Sequence, residues 1–180
     1  MLFKNQLAPE ISATSINNQP ISLSAFEGKK VLIKFHRFSG CPVAQWQIHE
    51  LIKKQDELNA AGIETIVFMH SSLKKILSNF KEVPGLHIIS DRKKIFYQLF
   101  HSQFSWKTLF SLASWHITFA SIFHGYFPQF NKFEGGIIGI PSDFFLDEQR
   151  RIVDLNYGKH LGDSWTVSEV LSKQQLNQSL

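Results

Sequence analysis

The chain alternates between blocks of two-residue and helical periodicity. Residues 11–16 and 21–23 alternate apolar with polar positions on either side of Asn17-Asn18-Gln19-Pro20, which predicts a β-hairpin. Residues 31–36 are short, β-branched at Val31 and Ile33 and apolar apart from Lys34, the pattern of a strand covered on both faces. Ala44, Ile48, Leu51, Ile52 and Leu58 then recur at helical spacing and predict a helix from Pro42 to about Ala60, stopped at Gly62. With the apolar run 63–69 this makes a β–α–β unit whose strands are parallel. A short helix over 72–80, a strand over 86–89 and a helix over 92–100 capped from Ser90-Asp91 follow. Strands over 142–146 and 151–156 form a hairpin about residues 147–150. A closing helix over 166–173 is capped from Ser164 or Thr166, and the residues after Gln174 read as a frayed tail.

Residues 104–127 do not fit this scheme. They carry Trp106, Phe110, Trp115, Phe119, Phe123, Tyr126 and Phe127, with Lys107 as the sole charge. Trp106, Leu109, Ala113, Ile117, Ala120 and Phe123 make a helical stripe, yet Trp115, Phe119 and Ile122 place apolar groups on other faces. A helix apolar nearly all round is buried, docked on a partner or in lipid. Interspersed Ser, Thr and His residues disfavour a membrane span, so the expectation is core or homodimer contact ahead of a membrane surface. Residues 129–139 read as a Gly-rich connection.

Composition adds bounds. One hundred and eighty residues suit one domain, 1–180, with the aromatic segment as a helical insertion at about 101–139. The formal charge of +4 is spread along the chain rather than gathered on one helix, which argues against nucleic-acid binding. The N-terminus has no signal-peptide pattern, and a single cysteine fits a reducing compartment, so a cytoplasmic location is expected. No histidine pair has metal-ligand spacing with a carboxylate, and no metal site is predicted.

That cysteine, Cys41, falls in the turn Arg37-Phe38-Ser39-Gly40 between the predicted strand and helix. Gly40 permits unusual backbone angles and Pro42 takes the first helical position. A helix N-terminus favours the thiolate, the form that reacts. His49, on the same helix, lies about 12 Å away by helical rise and is too distant to act as its base. His36 ends the strand, and its direction is left open.

Laid out in order, these pieces resemble the thioredoxin-like superfamily. The branch they are most similar to is the peroxiredoxin-like alkyl hydroperoxide reductase/thiol-specific antioxidant (AhpC/TSA) family. The resemblance runs from about Leu7 to Leu171. It is carried by LAPEISATSINNQPISLSAFEGKKVLIKF, the cysteine turn SGCP, the strand IETIVFMHSS, the segment GLHIISDRKKIFYQLF and the closing GIPSDFFLDEQRRIVDLNYG. It implies an α/β thioredoxin-like fold, with a central mixed sheet flanked by helices and an N-terminal β-hairpin. It also implies a cis Ile140-Pro141 peptide facing the cysteine, and a site at the sheet edge where Cys41, His70 and Pro141 converge. Arg37 is the candidate for polarising a peroxide and His70 for acid–base work. Ser39, Gly40, Pro42, Val43, Ala44 and Ile140 would border the substrate.

The chain departs from the family at telling positions. Ala44 stands where dithiol thioredoxins hold a second cysteine. Lys34 and Phe38 stand where peroxiredoxins hold the proline and the hydroxyl residue of their cysteine motif, and residues 137–145 lack the arginine that peroxiredoxins carry near the closing strand. The activity implied is a single-cysteine antioxidant thiol oxidoreductase acting on a peroxide or disulfide. It would need no bound cofactor and would be restored by an external thiol such as glutathione or a thioredoxin. The other reading is a redox-inactive binding module that docks a partner, a membrane surface or a second copy through 104–127.

Overall fold

The computed structural model describes residues 1–102, 111–129 and 139–178. Strands β1 (Ser12–Thr14) and β2 (Pro20–Ser22) form the expected hairpin, and a 3-10 turn over Leu23–Phe26 leads into β3 (Lys30–His36). The strands β3, β4 (Ile63–Met69), β5 (Leu86–Ser90), β6 (Ser142–Leu146) and β7 (Ile152–Tyr157) make one sheet in the order β5-β4-β3-β6-β7. β3, β4 and β5 run parallel; β6 and β7 run antiparallel to their neighbours. Alternation along β3 divides two cores. Val31, Ile33 and Phe35 face the N-terminal hairpin and an aromatic cluster of Phe68, Tyr97, Phe100 and Phe144. Leu32 faces the helices α1 (Pro42–Lys53), α2 (Gln55–Ala60), α3 (Leu73–Asn79) and α6 (Val167–Gln178).

Lys34 also points to the helix side, where it would be an isolated buried charge but for Asp143, its direct cross-strand partner. Its Nζ lies 2.6 Å from Asp143 Oδ1 and donates to the Trp165 carbonyl, while Asp143 also accepts from Ser164 Oγ and Trp165 N–H. At the position of the peroxiredoxin proline the chain thus holds a buried ion pair that ties β3 to β6 and to the start of α6.

Several boundaries differ from the sequence expectation. The helix expected over 42–60 is two, because Lys54 leaves helical geometry and its N–H is shared among the carbonyls of Glu50, Leu51 and Ile52. The break turns Gln55 inward, where its Nε2 donates to the Gly85 carbonyl. Asp91 does accept helix-start amides, from Ile95, Phe96 and Tyr97, but α4 (Ile95–Leu99) begins later than expected because Lys94 is left-handed, at φ 59°. α6 opens on a reciprocal cap between Thr166 and Glu169 and continues to Gln178, so the tail expected to fray is helical over 175–178, its last two positions lying outside the described residues.

The aromatic segment is helical over α5 (Leu112–Phe123); its expected start at 104 and the connection expected over 129–139 fall largely outside the described residues. Of the two contacts expected for it, core or homodimer, the core contact is made by its small side and not by its aromatic residues. Ser114 and Ser121 are buried, whereas Leu112, Ala113, Trp115, Phe119 and Phe123 are exposed. The loop facing α5 is small where they touch: a Cβ on Gly162 would come 2.7 Å from Ile117 Cγ1, and the Leu161 N–H donates to Ser114 Oγ. No described helix is long and apolar enough to cross a membrane.

Candidate active site at Cys41

The parallel register that sets His36 beside Met69, and the antiparallel one that sets Phe35 beside Ser142, bring the ends of β3 and β4 and the start of β6 to one edge. Tyr97 pins that edge by donating its hydroxyl to the carbonyls of His36 and Phe68. Burial raises the Tyr97 hydroxyl well above its ordinary pKa, with the nearby Asp91 carboxylate adding to the effect, so it remains a donor at neutral pH.

The turn from Arg37 to Cys41 is held from several sides. Ser39 N–H donates to Ser71 Oγ at 2.8 Å, Asn79 Nδ2 donates to the Ser39 carbonyl, and Ser90 Oγ anchors the Ser71 carbonyl. Cys41 N–H closes the turn onto the Phe38 carbonyl, and its own carbonyl accepts the first bond of α1, from Gln45. Cys41 is therefore the N-cap residue, with Pro42 at the first helical position as expected. Gly40 is required for space rather than for unusual backbone angles. A Cβ there would collide with the Gln129 carbonyl, and Gln129 N–H donates to the Gly40 carbonyl.

Arg37 distinguishes this edge. A turn arginine is ordinarily solvated, yet this one is buried beside the Phe38 ring, and its Nη1 lies 3.1 Å from Cys41 Sγ. A guanidinium cannot lose its proton near neutral pH, so it places a fixed positive charge on the sulfur. Both groups line a cavity of about 440 Å³ together with Phe38, Pro42, Ser114, Trp115, Thr118, Ile122, Pro128 and Leu161. Apart from Arg37, its walls are mainly apolar.

The remaining sequence candidates occupy varied places. His70 is buried beside Phe38 and Tyr97 rather than on the cavity wall. Burial, then the charges of Lys94 and Arg37, lower its pKa to about 3, so it is neutral at physiological pH and a poor match for general acid–base work there. His36 is buried as well, and burial followed by Lys34 brings it to about 3. Ser39 is buried in the turn, away from the cavity lining. Val43 and Ala44 are buried in the first turn of α1. Ile140 and Pro141 pack on Gly158, whose N–H donates to the Pro141 carbonyl. The expected cis Ile140-Pro141 peptide is corrected by the structure: the bond is trans, the form that X–Pro peptides favour, and the Gly158 hydrogen bond fixes the start of β6.

Sequence reasoning did not place α5 or the loop around Leu161 at the cysteine. The signals available were weak ones: the small Ser114, Thr118 and Ser121 repeating along an otherwise bulky helix, and Gly158 and Gly162 bracketing the loop.

A family model described as the AhpC/TSA family matches residues 5–154. No curated protein matches the chain. Among solved structures, the reduced 2-Cys peroxiredoxin of Plasmodium vivax is similar with a TM-score of 0.67 at 16% identity, over 99% of this chain and 98% of that one. A protein assigned as the thiol:disulfide interchange protein DsbE of Chlorobium tepidum is similar with a TM-score of 0.62 at 16% identity, over 98% of both chains. At that identity the two likenesses establish a shared thioredoxin-like fold.

Proposed function

The chain belongs to the AhpC/TSA family, and from that premise we propose that it is a single-cysteine thiol oxidoreductase that reduces peroxides, with Cys41 as the reacting residue. The observation that carries this reading is the Arg37 guanidinium 3.1 Å from Cys41 Sγ at a cavity wall. It answers the lack of an arginine in 137–145. The charge comes from within the cysteine turn, and Phe38 at the position of the family's hydroxyl residue serves as a platform for that guanidinium.

The Cys41 thiolate, held by Arg37 at the start of α1, attacks the nearer oxygen of the peroxide. An S–O bond forms, the O–O bond breaks, and the departing alkoxide or hydroxide takes a proton from water. Cys41 is left as a sulfenic acid. Ala44 offers no thiol, so an external thiol condenses with the sulfenic acid, releasing water and forming a mixed disulfide; a second thiol restores Cys41 and leaves as a disulfide. Glutathione or a thioredoxin-type protein supplies this chemistry. A disulfide substrate would enter the same cycle at the mixed disulfide.

The test is steady-state consumption of hydrogen peroxide and cumene hydroperoxide, with glutathione or with thioredoxin and its reductase. Turnover that disappears in Cys41→Ser is the expected result. Peroxide loss at the buffer rate with both reductants would refute the reading and favour the binding-module alternative.

A further inference from the structure

Cys41 chemistry leaves a second cavity unaccounted for. It encloses about 330 Å³ between α1, α5 and the start of α6, and shares no lining residue with the cavity at the cysteine. Its apolar walls are Trp46, Leu51, Ile117, Trp165 and Val167. A concave, mainly apolar space of this size with a few polar groups suits a small ligand. Both indoles are held in place by another side chain. The His124 ring stacks on Trp46, 4.5 Å between centroids, and Lys173 Nζ lies 4.5 Å from the centre of the Trp165 ring. The cavity is thus bordered by two fixed planar rings.

The polar groups on the wall set its charge. The buried Lys34 ammonium has three donors, and the Asp143 carboxylate and the Trp165 carbonyl accept two of them. The third has no acceptor among the described residues, and a buried donor without one is costly. Lys54, also on the wall, makes no ion pair among the described residues. The acidic residue on the wall, Glu50, is already taken by Lys53 at 2.7 Å. We propose that this cavity binds a small planar aromatic carboxylate, its ring against Trp46 and Trp165 and its carboxylate reached by Lys34 and Lys54. The uncompensated positive charge selects an acid over a neutral aromatic. The two indoles select a flat ring over a flexible acyl chain, which loses more rotamer freedom on entering. The Lys34–Asp143 pair stays intact, since only the third donor is offered. This site does not depend on the chemistry at Cys41.

The test is isothermal titration calorimetry of the full chain with 2-naphthoate. The expected result is one site per chain with a Kd tighter than about 100 µM. 2-Naphthalenemethanol, which keeps the ring without the charge, and decanoate, which keeps the charge without the ring, should each bind at least about tenfold more weakly. Lys54→Glu should weaken 2-naphthoate by about tenfold or more with an unchanged far-ultraviolet circular dichroism spectrum. Trp46→Leu should weaken it as well, and carries the test if the glutamate disturbs the spectrum. Arg37 places a cation at the cysteine cavity too, so Arg37→Met is the control and should bind 2-naphthoate as the wild type does. Absence of binding, the alcohol or decanoate binding as tightly as 2-naphthoate, or wild-type affinity in Lys54→Glu or Trp46→Leu would each overturn the proposal. So would loss of binding in Arg37→Met, which would assign the ligand to the cysteine cavity.

Discussion

Two buried cations stand three residues apart on one stretch of chain, and they do different work. Lys34 in β3 meets a full carboxylate: Asp143 is its cross-strand neighbour, and that carboxylate also holds Ser164 and the Trp165 amide. Arg37, just past the end of β3, meets a thiol at a cavity wall. In the first pair Lys34 borders a separate cavity of about 330 Å³, but its carboxylate partner is buried and taken up by protein donors, and the pair contributes the placement of β6 and α6. In the second the thiol itself borders the cavity of about 440 Å³. A buried cation beside a cavity is common to both; the character of the partner, a carboxylate taken up by protein donors or a thiol on the cavity wall, separates a structural pair from a chemical one.

The largest way to break this contrast is to unpair Lys34. Lys34→Met strands the Asp143 carboxylate, and the expected loss is about 3–5 kcal/mol of unfolding free energy by urea denaturation. The double variant Lys34→Met/Asp143→Leu is expected to regain most of that loss. A single variant as stable as the wild type would show that the pair is dispensable to the fold.

A buried histidine lies near each cation, and each is held neutral. His36 feels Lys34 and His70 feels Arg37, and burial is the leading cause of both low values, about 3 against an ordinary 6.5. The folded pKa is depressed, so the unfolded chain binds more protons between these values. The stability contribution is complete above about pH 6.5 and is lost as pH falls toward 3. Denaturation midpoints measured from pH 7 to pH 5 should therefore decline, and His70→Gln should flatten the decline by on the order of 1–2 kcal/mol over that range. An identical pH slope in the variant would mean that His70 is not held neutral by the fold.

The smallest expected effect is the most local. Arg37→Met removes the guanidinium 3.1 Å from the sulfur and should slow alkylation of Cys41 by iodoacetamide at neutral pH by up to about tenfold. Arg37→Lys should retain part of the rate, and Lys34→Met/Asp143→Leu should leave it unchanged. Equal effects from both sites would erase the distinction between the two cations.

The sequence made the scaffold legible because its signals are local. The alternation around residues 17–20, the strand–turn–helix ending in Cys41-Pro42 and the apolar run 63–69 each depend on neighbours in the chain, and β1–β4 and α1 are formed there. Long-range pairings were not legible. The Lys34–Asp143 bridge depends on the register of two strands 109 positions apart, which neither residue announces. Arg37 was a candidate by position, but the turn that brings its guanidinium to the sulfur is built by Ser71 and Asn79 from other elements. The orientation of α5 was left open for a definite reason: apolar residues on most of its circumference leave periodicity without a direction, and the inward face is selected by Ile117 against Gly162 and by Ser114 accepting from the Leu161 N–H.

The central claim is that Cys41 is oxidised by peroxide and stops at a species only an external thiol can clear. Its most direct test is the mass spectrum of the reduced chain after brief exposure to hydrogen peroxide with dimedone present. The account predicts a single dimedone adduct on the Cys41 peptide, absent without peroxide, weaker in Arg37→Met, and abolished when glutathione is added before dimedone. An unmodified Cys41 peptide, in protein whose Cys41 still alkylates with iodoacetamide, would contradict it.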